Sequence, residues 1–173
     1  MAGSVALFET ERLRLESWQP SQLNDLVRLH GNPVISKYLS AAGLPWTEAA
    51  CAARLQRWLG EFRDHRMGKL RVIRKSDEVF VGRAGYSLYE PTGEPEIGYA
   101  LLPEFWGLGY ATEAAAGLRD WIFRETDWDH FIGLADVGNT ASLKVLRAIG
   151  MKETHVADFD GAPCQFHVYE KPR

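Results

Sequence analysis

A change of pattern in the middle of the chain constrains the fold more than any other feature. The segment Glu96–Leu102 alternates with the period of two that a strand has, and a helical pattern begins near Tyr110. Two glycines, Gly107 and Gly109, stand between the two patterns. The sequence therefore predicts a strand, a tight glycine loop and a helix in direct succession.

A glycine loop at the start of a helix is a candidate site for an anion. The first turn of a helix leaves about four backbone N–H groups without intrahelical partners, and the aligned peptide dipoles make that end partly positive. Glycine lets a ligand approach the backbone closely, so a pyrophosphate can bind the N–H groups themselves. A tight turn that binds nothing is the alternative, and a lone Gly-x-Gly pair is compatible with both.

Length and composition exclude several classes of protein. The 173 residues favour a single domain over 1–173. A net charge of −3 gives no positive field for nucleic acid, so we expect no nucleic-acid partner. Cys51 and Cys164 have neither zinc-site nor disulfide-framework spacing, and we expect no metal. Without a signal-peptide pattern or an apolar run of about 18 residues, we expect no membrane partner and a cytoplasmic location.

The hydrophobic periodicity along the chain predicts an α/β fold. Strands are expected at 12–18, 70–74, 79–88, 96–102, 131–137, 152–157 and 165–170, and helices at 21–30, 47–63, 110–124 and 141–149. The order is β-α-α-β-β-β-α-β-α-β-β, with about seven strands and about four helices. Short connections make the middle strands antiparallel, and the helix at 110–124 is long enough to make its flanking strands parallel.

The predicted sheet is thus mixed and mainly antiparallel. Its first two helices are expected to cover one face. Ser21 and Thr47 are the expected N-caps of these two helices, because serine and threonine oxygens accept the unpaired N–H groups of a helix start.

Four segments of the chain carry a family resemblance: Thr10–Leu15, Glu96–Tyr99, Pro103–Ala114 and Asn139–Met151. Together they resemble the GCN5-related N-acetyltransferases (GNAT), and within them the ribosomal-protein N-terminal acetyltransferases. Each is weak alone, but their order and spacing are specific, and the resemblance covers nearly the whole chain. It implies a single GNAT-type domain that uses acetyl-CoA as cosubstrate, needs no metal and acetylates a primary amine.

The resemblance assigns the glycine loop to the pyrophosphate of acetyl-CoA. Gly109 and Ala111 fill the last two conserved positions of the family signature, whereas Trp106 stands where the family has Arg or Gln. The loop is expected to bind through backbone N–H groups, and the backbone near Leu101 to pair with the pantetheine arm and to donate an N–H to the oxyanion. The cofactor-binding residues implied are Leu101, Gly107, Leu108, Gly109, Tyr110, Ala111, Thr112 and Asn139.

Asn139 has a second interpretation, as the N-cap of the helix that follows it. The two roles do not exclude each other, since the side chain can cap the helix while it contacts the cofactor arm.

Glu96 and Ser142 are the candidate catalytic residues. Glu96 either accepts the proton of the attacking amine or anchors the substrate. The tyrosine that often protonates the leaving thiolate in this superfamily is replaced here by Leu146. Because related N-terminal acetyltransferases place a serine near the sulfur, we assign that role to Ser142, with a plain exposed helical serine as the alternative. Tyr99, on the opposite face of the strand from Glu96, is expected in the core.

The acceptor amine stays open at this point. A protein N-terminal α-amine, with a pKa of about 8, is easier to deprotonate than a lysine amine, with a pKa of about 10.4. The alternatives are a small-molecule acceptor, such as an aminoglycoside or polyamine in an acidic cleft, and a CoA-binding regulatory module without catalysis. Acceptor contacts are expected in Ile35–Trp46 and Asp158–Pro163. A homodimer through the terminal strands is also left open.

Overall fold

The computed structural model describes residues 3–39 and 42–173. The strands and helices follow one another along the chain in this order: β1 (Ala6–Glu9), β2 (Leu13–Glu16), α1 (Leu23–His30), α2 (Pro33–Ser36), α3 (Glu48–His65), β3 (Lys69–Arg74), β4 (Val79–Tyr89), β5 (Glu94–Leu101), α4 (Tyr110–Glu125), β6 (His130–Asp136), α5 (Thr140–Ala148), β7 (Lys152–Phe159) and β8 (Ala162–Glu170). Two short 3₁₀ turns, Pro20–Gln22 and Pro103–Phe105, precede α1 and the glycine loop. No helix of the described residues is long and apolar enough to cross a bilayer.

The predicted fold class is confirmed, with one more strand and one more helix than expected. The strands form a mixed eight-stranded sheet in the order β1-β2-β3-β4-β5-β6-β8-β7. β5 and β6 are parallel, as the length of the helical connection predicted, and the other pairings of the described residues are antiparallel. Of the additional elements, β1 has two adjacent large apolar residues, Leu7 and Phe8, instead of an alternation, and α2 has four residues, little more than one helical turn.

The predicted cap of the first helix is wrong, whereas the cap of the second long helix is confirmed. Ser21 lies inside the 3₁₀ turn, because Pro20 starts that turn one residue earlier than the sequence pattern indicated. The Gln22 side chain accepts the Gln19 N–H instead, at 2.8 Å. Thr47 caps α3, where its hydroxyl oxygen accepts a backbone N–H at 3.2 Å.

Helices cover both faces of the sheet, and the two faces differ in character. On one face, the Tyr86 hydroxyl of β4 donates to a carbonyl of α4 at 3.0 Å, in apolar surroundings. On the other face, Arg83 of β4 donates to His30 of α1 at 3.1 Å. This second face, under α1 and α3, also buries Lys69 and Arg71. The expectation that the first two long helices share a face is therefore confirmed.

β5 and β6 pair at two positions and then diverge. Glu96 lies opposite Ile132, and Ile97 lies opposite Gly133. β5 nevertheless continues to Leu101. Within the described parts of the chain, the last four residues of β5 have no strand partner on the β6 side. The sheet therefore opens beside the glycine loop.

Candidate active site

The glycine loop has the backbone that the sequence predicted. Gly107 and Gly109 have φ angles of +73° and +81°, a region in which residues with a Cβ are strained. Gly109 is the N-cap of α4, and the helix begins at Tyr110. A Cβ on Gly107 would meet open space, so a ligand can approach the backbone there.

A clamp between Arg12 and Glu113, which the sequence analysis did not predict, holds this loop. The Glu113 carboxylate accepts the Arg12 backbone N–H at 2.8 Å, the Arg12 Nε–H at 2.7 Å and the Thr10 hydroxyl at 2.6 Å. Arg12 also donates to the Leu108 carbonyl at 2.9 Å and lies 4.4 Å from the centre of the Tyr110 ring. A guanidinium thus stands beside the loop, supplied by the turn between β1 and β2 and not by the signature position that Trp106 occupies.

Trp106 contacts the end of β5. Its indole N–H donates to the Leu101 carbonyl at 2.9 Å. The Leu102 N–H donates to the Val81 carbonyl of β4 at 2.9 Å. Because successive residues of a strand direct their backbone N–H and carbonyl groups to opposite sides, those of Leu101 point away from β4 and into the gap beside β5. Trp106 therefore supplies a hydrogen-bond donor to one of the backbone carbonyls that point into the gap.

Two cavities meet in this gap. The larger, of about 680 Å³, lies between the glycine loop, the end of β5 and α5. The smaller, of about 280 Å³, extends under α3 and includes Glu96 in its wall. Residues that line both cavities are Tyr38, Leu39, Tyr99, Asn139 and Ser142.

The larger cavity brings together most of the residues assigned to the cofactor. It is lined by Leu101, Gly107, Gly109, Tyr110, Ala111, Thr112 and Asn139. Leu108 is outside this lining, with a half-exposed side chain. Asn139 also caps α5, because its Oδ1 accepts the Ser142 N–H at 3.2 Å.

Tyr99 reaches the site that was assigned to Ser142 alone. Its ring packs against the core as expected, but its hydroxyl lies 3.0 Å from the Ser142 carbonyl oxygen and 3.1 Å from Ser142 Oγ. Burial raises the pKa of Tyr99, against the effect of the Ser142 hydrogen bond, so the phenol keeps its proton at neutral pH. Ser142 is thus half of a hydroxyl pair between the two cavities.

Glu96 lies close to two buried cations. The strand register places Gly98, two residues after Glu96, beside Lys69 and Arg83. A Cβ on Gly98 would lie 2.6 Å from Lys69 Nζ and 3.5 Å from a terminal nitrogen of Arg83, so the absent side chain makes room for both cations. Burial raises the pKa of Glu96, and the charges of Lys69 and Arg83 oppose that rise without cancelling it.

The segments expected to contact the acceptor also border the cavities. Trp46 lines the smaller cavity, and Tyr38 lines both. Phe159 and Asp160, from the turn between β7 and β8, line the smaller one. Residues 40 and 41 of the first segment lie outside the described residues.

Comparison with known protein families gives a match that covers most of the residues of both cavities described above. Residues 12–152 match the family described as Acetyltransferase (GNAT) domain, which is most of the chain. The chain belongs to the GNAT acetyltransferase family.

Relatives of this GNAT acetyltransferase include bacterial N-acetyltransferases, and solved structures share its fold. The uncharacterized N-acetyltransferase p20 of Bacillus licheniformis is 26% identical over 156 residues, which is 88% of this chain and 86% of p20. The acetyltransferase of Agrobacterium tumefaciens strain C58 superposes with a TM-score of 0.83 at 22% identity, covering 99% of this chain and 98% of that one. RimL, a ribosomal L7/L12 alpha-N-protein acetyltransferase solved with coenzyme A, gives 0.82 at 16% identity, covering 96% and 98%.

Across residues 3–39 and 42–173, no group of three or more His, Cys, Asp or Glu side chains is placed to hold a metal ion. Cys51 and Cys164 are buried free thiols, and burial is the main cause that raises the pKa of each.

Replacing Glu113 by glutamine is expected to destabilise the GNAT domain by about 1–3 kcal/mol at pH 7, because the amide NH₂ faces donors that the carboxylate accepted. Burial raises the pKa of Glu113, but hydrogen bonds from Thr10 and Arg12 outweigh it and hold the net pKa below its usual value. The wild-type advantage is therefore present at neutral pH and shrinks as the pH falls below about 4. Urea unfolding of the wild type and the variant, at pH 7 and at a pH below about 4, measures this difference in the free energy of unfolding.

Glu125→Gln is the matched control, because Glu125 ends the same helix and pairs with its neighbour Arg124 on a half-exposed surface. We expect its unfolding midpoint to remain at the wild-type value. Equal midpoints for Glu113→Gln and Glu125→Gln at pH 7 would contradict the clamp.

Proposed function

We propose that this GNAT enzyme transfers the acetyl group of acetyl-CoA to a primary amine by direct attack in a ternary complex. The junction of the two cavities at Tyr99 and Ser142 carries this proposal. A thioester in the larger cavity and an amine in the smaller one would meet at that junction. The relative RimL binds coenzyme A, which supports the choice of donor.

The residues of the larger cavity fit acetyl-CoA. The positive φ angles of Gly107 and Gly109 and the first turn of α4 offer backbone N–H groups to a pyrophosphate. Arg12 adds positive charge beside the loop. The Leu101 N–H points into the gap, where it can donate to the pantetheine arm or to the thioester carbonyl. Acetyl-CoA supplies the activated acyl group.

Glu96 is proposed to accept the proton of the attacking ammonium, directly or through a water molecule. Lys69 and Arg83 help, because positive charge lowers the pKa of an ammonium group bound near it. The amine nitrogen then forms the C–N bond while the C–S bond breaks. The Ser142 hydroxyl, with Tyr99 beside it, is proposed to hydrogen-bond the departing sulfur and to pass to it the second proton, which the nitrogen loses on forming the amide.

A thiol-release assay tests the function as a whole. The enzyme is incubated with acetyl-CoA and one of four acceptor classes: peptides with free N-termini, aminoglycosides, polyamines and free amino acids. We expect free thiol, and an acetylated amine by mass spectrometry, with at least one class. Tight acetyl-CoA binding with no transfer to any amine would favour the regulatory-module alternative.

Glu96→Gln is expected to lower turnover and to change its pH profile. In the wild-type enzyme the rate falls as the pH drops through the pKa of Glu96, because the base becomes protonated. The glutamine variant lacks this group, so its remaining pH dependence should follow the acceptor amine and Lys69, whose pKa burial lowers to about 8. The steady-state rate from pH 5 to 9 measures the difference. An unchanged rate and profile would remove Glu96 as the base.

Ser142→Ala is expected to lower turnover by less than about a hundredfold, the lower limit of a typical general-acid contribution. The reason is that a thiol with a pKa near 8.5 leaves readily as thiolate at neutral pH. Pre-steady-state thiol release gives the rate, and calorimetry with CoA gives the affinity, which should be retained. A loss of a hundredfold or more at unchanged affinity would assign Ser142 a larger role than we propose.

Gly109→Val should weaken CoA binding about tenfold or more, because a β-branched residue at φ +81° is strained by about 1–3 kcal/mol and displaces the loop. Trp106→Gln is the comparison variant. It loses the bond to the Leu101 carbonyl but retains the loop backbone, so its affinity should stay within about fivefold of wild type. Calorimetric titration with CoA gives both values. The reverse order would assign the pyrophosphate to the Trp106 side chain.

A further inference from the structure

We propose that the acceptor is a small amine that also carries an anionic carboxylate or phosphate group, and that Lys69 and Arg83 bind this group in the smaller cavity. The inference rests on the proposed acetyl transfer and names the class of its second substrate.

Lys69 and Arg83 are buried cations that lack ion-pair partners. Each is 8% exposed or less, and both line the smaller cavity. Among the residues that the structure describes, neither has a carboxylate oxygen within 4.0 Å. Their hydrogen-bond acceptors are neutral: Lys69 Nζ donates to the Gly85 carbonyl at 3.1 Å, and Arg83 Nε donates to His30 Nε2 at 3.1 Å.

Arg71 shows how the same fold treats a buried cation outside the cavity. It lies on the same sheet face, directly opposite Arg83 in the β3–β4 register. Its guanidinium donates to the carboxylates of Glu16 at 2.6 Å and Asp25 at 2.5 Å. A buried charge is costly unless it is paired. The fold thus neutralises Arg71 internally, whereas the two cations in the cavity lack such partners.

His30 orients Arg83 without neutralising it. The imidazole is buried and stacked on Trp46, with ring centres 3.7 Å apart. Burial, assisted by the charges of Arg83 and Arg54, lowers the pKa of His30 to about 2, so the ring is neutral and accepts the Arg83 hydrogen bond. The terminal nitrogens of Arg83 are left for a ligand, on the side of the strand where Gly98 lacks a side chain.

Glu96 alone does not balance the two cations. Burial lowers the pKa of Lys69 to about 8 and that of Arg83 to about 10, and the charge of Glu96 opposes both shifts without cancelling them. Glu61, the other carboxylate whose charge acts on Lys69, accepts the Arg57 Nε–H at 2.8 Å. An anion bound here would supply the close partner that Lys69 and Arg83 both lack, while the amine of the same molecule lies near Glu96.

The rest of the lining argues against a polycationic acceptor. The charged residues of the smaller cavity are four cations, Arg54, Arg57, Lys69 and Arg83, and four carboxylates, Glu61, Glu96, Asp136 and Asp160. The acidic cleft that would suit a polyamine or an aminoglycoside is therefore absent from the described lining. A volume of about 280 Å³ is at the lower limit for ligand pockets and suits a molecule of amino-acid size.

Matched pairs of acceptors test the proposal. Thiol release is measured with alanine against alaninamide and with 2-aminoethyl phosphate against ethanolamine, and the rates are expressed per unprotonated amine. We expect kcat/KM to be at least tenfold higher for an anionic member than for its neutral partner, and spermidine to be a poor acceptor. The two pairs distinguish a carboxylate ligand from a phosphate. Equal or higher values for both neutral members would overturn the proposal.

Lys69→Met and Arg83→Met should bring this ratio towards one. Both variants should retain the wild-type melting temperature or exceed it, because each removes an uncompensated buried charge. If Arg83→Met does not fold, Arg83→Lys keeps the charge and should retain part of the ratio. Arg63→Gln is the control, since it removes an exposed cation of α3 outside both cavities and should leave the ratio unchanged. A wild-type ratio in the folded Lys69→Met and Arg83→Met variants would also overturn the proposal.

A binding measurement without acetyl-CoA separates this proposal from the proposed function. Trp46 and Trp58 line the smaller cavity, so tryptophan fluorescence reports its occupation. Propionate should change the emission saturably and propionamide should not, and Lys69→Met should abolish the response. Propionate binding with no acetylation of any amine would leave the anion site standing and contradict the transfer. Acetylation with neither propionate binding nor a preference for anionic acceptors would support the transfer and contradict the anion site.

Discussion

The short pairing of β5 with β6 is the constraint on which the site depends. Backbone N–H and carbonyl groups inside a protein need partners, and a continuous ladder would have used those of β5 internally. Because the ladder stops after Ile97, the groups at Tyr99 and Leu101 point into a gap. The indole N–H of Trp106 donates a hydrogen bond to one of them, the Leu101 carbonyl. Through the same gap Tyr99, whose side chain is on the opposite face of β5 from Glu96, reaches the wall of the smaller cavity.

The two faces of the sheet solve different physical problems. The face under α4 is packed with apolar groups, and its buried phenol, Tyr86, has a backbone carbonyl as partner. The face under α1 and α3 carries charge across β2, β3, β4 and β5, from Glu16 through Arg71 to Lys69 and Glu96. At the β2 side Arg71 forms close ion pairs, whereas Lys69 and Arg83 beside the gap form none among the described residues. The functional asymmetry of the molecule is therefore electrostatic as well as geometric.

The sequence predicted those features that depend on neighbours along the chain. Gly109 could be assigned to the start of α4, and Thr47 to the start of α3, because turn and cap preferences are local. The parallel pairing of β5 and β6 followed from the length of the connection. The alternation of β5 also gave the correct face for Glu96, since a strand has a period of two. The expected cap at Ser21 failed because a local preference competed with Pro20 one position earlier.

Contacts that depend on register could not be predicted in this way. Tyr99 and Ser142 are 43 positions apart, and periodicity alone does not indicate that strand and helix meet there. Lys69 and Arg83 come together through the pairing of three strands, in which a shift of one residue would turn each side chain to the other face. β1 was missed for a different reason, because its large apolar residues Leu7 and Phe8 are adjacent and do not alternate with polar ones.

The clamp between Arg12 and Glu113 has a mechanical consequence. It joins positions 101 residues apart, so the chain from β2 to α4 forms a closed loop that contains four of the eight strands of the sheet. A displacement of the β1–β2 hairpin, at one edge of the sheet, is therefore transmitted through one side chain to the carbonyl of Leu108 in the glycine loop. The rigidity of that loop is supplied from the edge of the molecule as well as from the helix that follows it.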